Sequence, residues 1–296
     1  MQNRRVRFFV GLPTFVWLLL FYAIPMVVML LLAFRHADAN GDIGATWSLQ
    51  EIRNLCNPIY PKIFIRTIWL AVTATLLCVM FAVPISYQLA RMRPRIRNVF
   101  LMLIVVPFWT NFLIRIYAWK VVLHPDGFLK SIFVAIGLCD PDAILLYNSG
   151  AVLTVMVYTY LPFAVLPIYS AAEKFDFSML DAAKDLGAGS FYAFRRVFLP
   201  AIMSGVTVAI MVVFIPALGA YLIPDLVGGA SSEMIGDKIA QSVTTKRNLP
   251  HASALSALLM FGVFAPLLIG ILIRKWRQRA QGETMVTNRD VMKGAF

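Results

Sequence analysis

Six apolar runs, each about the length of helix that crosses a bilayer, divide this chain of 296 residues. They cover roughly Leu12–Phe34, Thr67–Leu89, Val99–Leu123, Ala151–Ala171, Val197–Ile223 and Ala252–Ile273. A helix rises about 1.5 Å per residue, so ~20 residues cross the ~30 Å hydrocarbon layer. Water is absent there, and a helix satisfies its backbone polar groups within its own segment. Composition agrees: 60% of residues are hydrophobic and 14% charged, against about 45–50% and about 25% in soluble domains. The sequence therefore predicts an all-α integral membrane protein with six transmembrane helices, forming one domain over residues 1–296.

Pro25, Pro84, Pro107, Pro162, Pro167 and Pro216 fall inside these runs, and kinks are expected at them. The apolar segment Phe128–Ile136 is too short to span and reads as a re-entrant or interfacial helix. Arg4, Arg5 and Arg7 precede the first run without a small-residue cleavage site, so that run reads as a retained helix.

Charge sets the orientation. Most of the 27 Lys and Arg fall in four segments that six spans place on one side. These are the N-terminal cluster, the loop of Arg91, Arg93, Arg95 and Arg97, the loop of Lys174, Lys184, Arg195 and Arg196, and the tail from Arg274 to Lys293. The positive-inside rule then puts both termini in the cytoplasm. The net charge of +12 is thus a topology signal, and nucleic acid is not the expected partner.

Chemistry-bearing motifs are sparse. Cys56, Cys78 and Cys139 lack metal-ligand spacing, and His36, His124 and His251 are isolated, so neither a metal nor a cofactor is expected. Cys78 reads as a small packed hydrophobe, while Cys56 and Cys139 lie in outer loops where a disulfide is chemically permitted. The GxxxxGK[ST] phosphate loop is absent, so ATP, if used, is bound by another subunit. An intramembrane enzyme would need ionisable groups converging inside the spans, which hold almost none. A channel or scaffold subunit would also fit six spans.

The loop of about residues 173–200, between spans four and five, is long enough to carry its own helices. Ser178 followed by Asp181 reads as a capping box, Leu180, Ala182, Ala183 and Leu186 continue the helix, and Gly187 stops it. A second short run, Ser190–Val197, precedes Pro200. From the residues alone, a short helix-turn-helix that receives a soluble partner and an ordinary interfacial loop are equally good readings.

A resemblance separates them. Asp181-Ala182-Ala183, three residues, Gly187, nine residues, then Val197-Phe198-Leu199-Pro200 resembles the EAA motif of ABC importer permeases. Asp181 stands for Glu and Val197 for Ile, and every spacing agrees. The strings Val105–Lys120, Leu161–Ser170 and Phe214–Gly236 are similar to the first permease subunit of spermidine/putrescine importers. The resemblance implies a type I importer permease fold in which Asp181, Ala182, Ala183, Gly187, Leu199 and Pro200 belong to a cytoplasmic coupling helix and its return. It further implies two ATP-binding subunits, a second homologous permease and a periplasmic binding protein as partners. The chain itself would not be an enzyme. The implied activity is ATP-driven uptake of polyamines by alternating access, the alternative being another organic cation or small amino compound.

A polyamine calls for carboxylates and aromatic faces. Asp225 follows Pro224 at the outer end of span five, with Glu233 and Asp237 nearby. Trp109, Tyr117 and Trp119 lie along span three, and Tyr158, Tyr160 and Tyr221 on spans four and five. Such aromatics near span ends more often form an interfacial belt than a path. Arg115 is a poor cation ligand and reads as snorkelling or pairing with Asp225.

Overall fold

The computed structural model describes residues 12–37, 43–137, 140 and 142–263. The N-terminal basic cluster, Cys139, the tail from Arg274 and the sixth run beyond Val263 lie outside the described residues. Among the described residues three helices are long and apolar enough to cross a membrane: α1 (Leu12–Leu32), α2 (Ile59–Arg91) and α6 (Ser149–Ala172). Two further segments are bent pairs: α3 (Pro94–Val105, extended by a 3-10 turn to Trp109) with α4 (Phe112–Val122), and α8 (Ser190–Ala201) with α9 (Met203–Leu218). The shorter helices are α5 (Phe128–Ala135), α7 (Ser178–Asp185), α10 (Ile235–Thr244) and α11 (Leu249–Val263).

Contacts divide the chain into two compact units, Met1–Cys56 with Ser242–Phe296, and Asn57–Gln241. In the first unit α1 has no buried residue in its apolar window, which suits a helix facing lipid. After it comes a hairpin that an all-α reading did not foresee: β1 (Arg35–Ala37) pairs antiparallel with β2 (Ile43–Trp47), Arg35 opposite Trp47. The Arg35 guanidinium sits 4.5 Å over the Trp47 ring, a cross-strand cation–π pair that fixes this register. The strands are too short for alternation to betray them. Also in this unit, His251 at the start of α11 meets Glu51 at 2.9 Å (Nδ1 to Oε2), both side chains buried. Asn248 caps α11, its Oδ1 accepting from the His251 N–H at 2.8 Å.

The second unit is built on α2, α6 and α9, which pack against one another. The buried side of α2 carries Ala71, Ala74, Cys78 and Ala82, a stripe of small residues at helical spacing. In lipid the hydrophobic effect gives no drive for helix association, so close backbone approach and dispersion must supply it. Gly205 marks the tightest approach: a Cβ there would stand 2.6 Å from the Ala171 Cβ and from the Pro167 carbonyl oxygen. Ser86 Oγ donates to the Val165 carbonyl (3.2 Å) and Cys78 Sγ to that of Val157 (3.7 Å). Such bonds average only about 0.6 kcal/mol in membranes, so packing dominates. Cys78 is thus the packed hydrophobe expected. At 33 residues α2 is about 50 Å long, well beyond the hydrocarbon, so its ends stand clear of it.

In span three the bend is sharper than the kink expected at Pro107, and span five breaks at Pro200–Ile202 while Pro216, where its kink was expected, lies inside α9. At Pro107 the helix tightens into a 3-10 turn, Thr110 becomes extended (ψ 149°), and α4 starts afresh with Asn111 as its cap, Oδ1 accepting from the Leu113 N–H at 2.8 Å. The two arms differ in direction by 96°. In span five Pro200 cannot donate to the Arg196 carbonyl, and after Ile202 α9 leaves at 69° to α8. Phe128–Ile136, the short apolar segment, forms α5.

Candidate coupling site and solute path

Helix α7 begins where the sequence places a cap, but the capping residue differs. Ser178 is already helical, and its backbone N–H is taken by Asp176 Oδ1 at 3.0 Å. The Ser178 side chain first, and then this backbone N–H, hold the Asp176 carboxyl below its usual range, since both favour the ionised acceptor. Asp181 lies in the first turn, exposed, with Lys184 Nζ 3.6 Å from its carboxylate. An exposed pair of this kind adds little.

The end of α7 is a complete Schellman closure. The Ala182 carbonyl accepts from Leu186 N, the Lys184 carbonyl from Gly187 N at 2.8 Å, and the Ala183 carbonyl from Ala188 N at 3.0 Å. Gly187 takes φ +87°, while nothing lies within 4 Å of where its Cβ would be. Glycine is needed for the left-handed turn and not for space. Leu199 and Pro200 sit on the return, just before the break into α9. Towards solvent the loop presents Met179, Leu186 (89% exposed), Phe191 (77%) and Tyr192, an apolar patch of the kind that marks an interaction surface.

Beneath this patch lies an aromatic cluster that the sequence reading did not identify. Tyr87, near the C-terminal end of α2, meets Phe177 (5.9 Å between centroids), Phe194 (5.4 Å) and Phe198 (4.9 Å) edge-on. Phe175 closes the group against Phe177 and Phe198, each at 5.3 Å. Phe198 is fully buried. Arg91 Nη1 donates to the Tyr87 hydroxyl at 2.7 Å and its guanidinium lies over the Tyr87 and Phe177 rings. Aromatic pairs contribute about 0.5–1.5 kcal/mol each beyond area burial, so the loop is stiffly attached to α2. The signal was present in the sequence as phenylalanines on both flanks of the motif, but nothing in it named Tyr87 as their partner.

The path candidates separate into groups. Tyr221 helps line a cavity of about 150 Å³ with Phe112, Tyr160, Pro216 and Gly219. It lies where α4 begins and α9 has ended, and the Tyr160 hydroxyl donates to the Pro216 carbonyl at 3.4 Å. Irregular backbone at membrane depth is tolerated where protein or a water-filled cavity surrounds it, and such breaks commonly mark solute sites. Tyr158 packs edge-on against Trp119 at 5.3 Å. Trp109 is 76% exposed at the break, and Tyr117 is also exposed, so neither joins the cavity.

Asp225 lies exposed in a π turn (Pro224–Gly228), while Glu233 binds Lys238 Nζ at 2.8 Å. The acid most altered by its surroundings is Asp237, on α10 outside the spanning helices and only 3% exposed. Burial first, then the charges of Asp225 and Glu233, push its carboxyl up to about 6, while Lys238 and a hydrogen bond from Gln241 oppose them. Asp225, Glu233 and Asp237 are therefore brought within electrostatic reach of one another. Arg115 does not pair with Asp225: its guanidinium lies over Phe108 (5.4 Å) and Phe112 (5.6 Å), on the aromatic faces at the break. Among the described residues no cluster of His, Cys, Asp and Glu could hold a metal.

Bent membrane-length helices, with a stopped amphipathic helix held on an aromatic joint, define an integral membrane protein. The family model described as "Binding-protein-dependent transport system inner membrane component" matches residues 82–278. Haemophilus influenzae has a relative, "Spermidine/putrescine transport system permease protein PotB", 36% identical over 242 residues, covering 82% of this chain and 85% of the relative. The protein of the same description from Escherichia coli is 33% identical, covering 86% and 92%. The chain belongs to the family of binding-protein-dependent transport system inner membrane components, and is a membrane transport permease rather than an enzyme. Its fold is shared with a solved "bacterial ABC transporter involved in the import of the acidic polysaccharide alginate" (TM-score 0.68, 16% identity, 93% of this chain and 95% of that one). The same holds for an alginate transporter "in complex with alginate pentasaccharide-bound periplasmic protein" (TM-score 0.66, 16% identity).

Proposed function

We propose that this chain is a permease subunit of an ABC importer for spermidine and putrescine, working in the inner membrane by ATP-driven alternating access. The observation that carries the substrate is the identity of 36% and 33% to spermidine/putrescine permeases over more than four fifths of the chain. The acids Asp225, Glu233 and Asp237 suit a cationic solute, and Tyr221 supplies an aromatic face beside the break. Trp109, Tyr117 and Tyr158 are the further members of the proposed path.

In this reading the two compact units serve as one six-span permease domain. Its spans are α1, α2, the α3–α4 pair, α6, the α8–α9 pair and the segment that begins with α11. Both termini are cytoplasmic, as the basic clusters favour. Helix α7 is the coupling helix: Asp181, Ala182, Ala183 and Gly187 form it and its stop, and Leu199 and Pro200 shape the return. Its exposed patch docks on one of two ATPase subunits, a second permease completes the membrane portion, and a periplasmic protein delivers the solute.

Uptake of labelled spermidine and putrescine in cells lacking this chain, with and without a plasmid copy, tests the proposal. Restored energy-dependent uptake supports it. Unrestored uptake of both, with restored uptake of another organic cation or small amino compound, would replace the substrate.

A further inference from the structure

We infer that Tyr87 is the positioning residue through which movement of the coupling helix reaches the helical core, a reading that rests on the coupling role proposed for α7. Tyr87 is the α2 member of the aromatic cluster, and it touches rings from both flanks of α7: Phe177 before it, Phe194 and Phe198 after it. Leu180 of α7 and Ala193 and Phe198 of the return are buried, and Phe198 is itself in contact with the Tyr87 ring. Displacement of α7 must therefore displace Tyr87 or break its contacts.

The joint ties both flanks of α7 to α2: its rings meet edge-on at Tyr87 and stacked between Phe194 and Phe198 (5.3 Å, 29°), both favourable arrangements for aromatic pairs. Arg91, one turn further along α2, holds the Tyr87 hydroxyl and covers Tyr87 and Phe177 from the exposed rim. Tyr87 stands on the helix that packs against both α6 and α9, so a push on the ring reaches all three core helices.

The test uses the whole importer, this chain with its second permease and ATPase subunits in liposomes, supplied with spermidine-loaded binding protein. The readout is stimulation of ATP hydrolysis by that protein, beside the amount of ATPase subunit that copurifies. Tyr87→Leu is expected to retain the ATPase subunit and to lose at least about fivefold of the stimulation, the lower end of a typical coupling between sites. Tyr87→Phe keeps the ring and most of the stimulation, and Arg91→Gln falls between. Unchanged stimulation in Tyr87→Leu, or loss of the ATPase subunit in step with loss of stimulation, overturns the inference. If Tyr87→Leu fails to assemble, Arg91→Gln on the exposed rim decides, and wild-type stimulation there overturns it. Failure of the coupling role itself has a separate signature, namely Gly187→Val with undiminished stimulation.

Discussion

At Gly187 the chain turns with φ +87° in open space, so a substituent meets no neighbour yet strains the backbone. The left-handed conformation costs an ordinary residue about 1–2 kcal/mol, more for a β-branched one and less for asparagine. Gly187→Asn should therefore keep coupled uptake, whereas Gly187→Val should reduce uptake severalfold without loss of the protein from the membrane. Transport and immunoblot of the same cells check both. Asp237 yields a pH prediction. Its folded value of about 6 exceeds the model-peptide value of 3.8, so folding favours the protonated acid. Its contribution to stability is full below about pH 4 and is lost as pH rises through 6. Melting temperatures of the purified assembly should decline over that window more in the wild type than in Asp237→Asn, and parallel profiles would contradict the assignment. The stop at Gly187 was legible because glycine in this setting has one use, a left-handed C-terminal closure. The start was not: Ser178, expected as the cap, is already the first helical residue, and its N–H goes to Asp176 Oδ1.

Among the described residues the helices themselves were the most legible level, because the apolar runs that form them had the length that lipid demands. Direction was not legible. Hydropathy carries no information on where an axis turns, so the 96° break at Pro107–Asn111 read as a kink within one span. Helices α4 and α6 both start on an asparagine cap, which predicts a cost. Asn148 starts α6, its Oδ1 accepting from the Ala151 N–H at 2.9 Å and its amide donating to the Ile144 carbonyl at 2.9 Å. Asn148→Ala should lower stability by about 1 kcal/mol, read as a drop in melting temperature with α6 still formed. Packing between elements predicts a larger effect. Gly205→Leu forces α6 and α9 apart at the Pro167 carbonyl and Ala171, and overpacking of this kind costs about 1–3 kcal/mol or more. A stability unchanged by Gly205→Leu would contradict the close approach. The β1–β2 hairpin escaped detection because strands of three and five residues carry too few alternations to stand out.

For the molecule as a whole, the candidate site was half legible. The proposed coupling residues follow each other in one loop, so their spacing survives in sequence. The aromatic joint does not, because it unites Tyr87 with rings about a hundred residues away along the chain. The acids behave likewise: Asp225 stood out beside Pro224, but the group most altered by its surroundings is Asp237, whose burial only the fold creates. Replacing Asp225 by Asn should weaken spermidine uptake if that acid meets the solute, while unchanged uptake would remove it from the path. The proposed function requires ATP-driven polyamine movement through this chain. The most direct test is uptake of labelled spermidine into liposomes holding this permease, its partner permease and the ATPase subunits, with binding protein outside and ATP within. The account predicts accumulation that requires both ATP and binding protein and that falls severalfold with Gly187→Val. Spermidine accumulation absent in the unaltered complex, while its ATPase remains active, would contradict it.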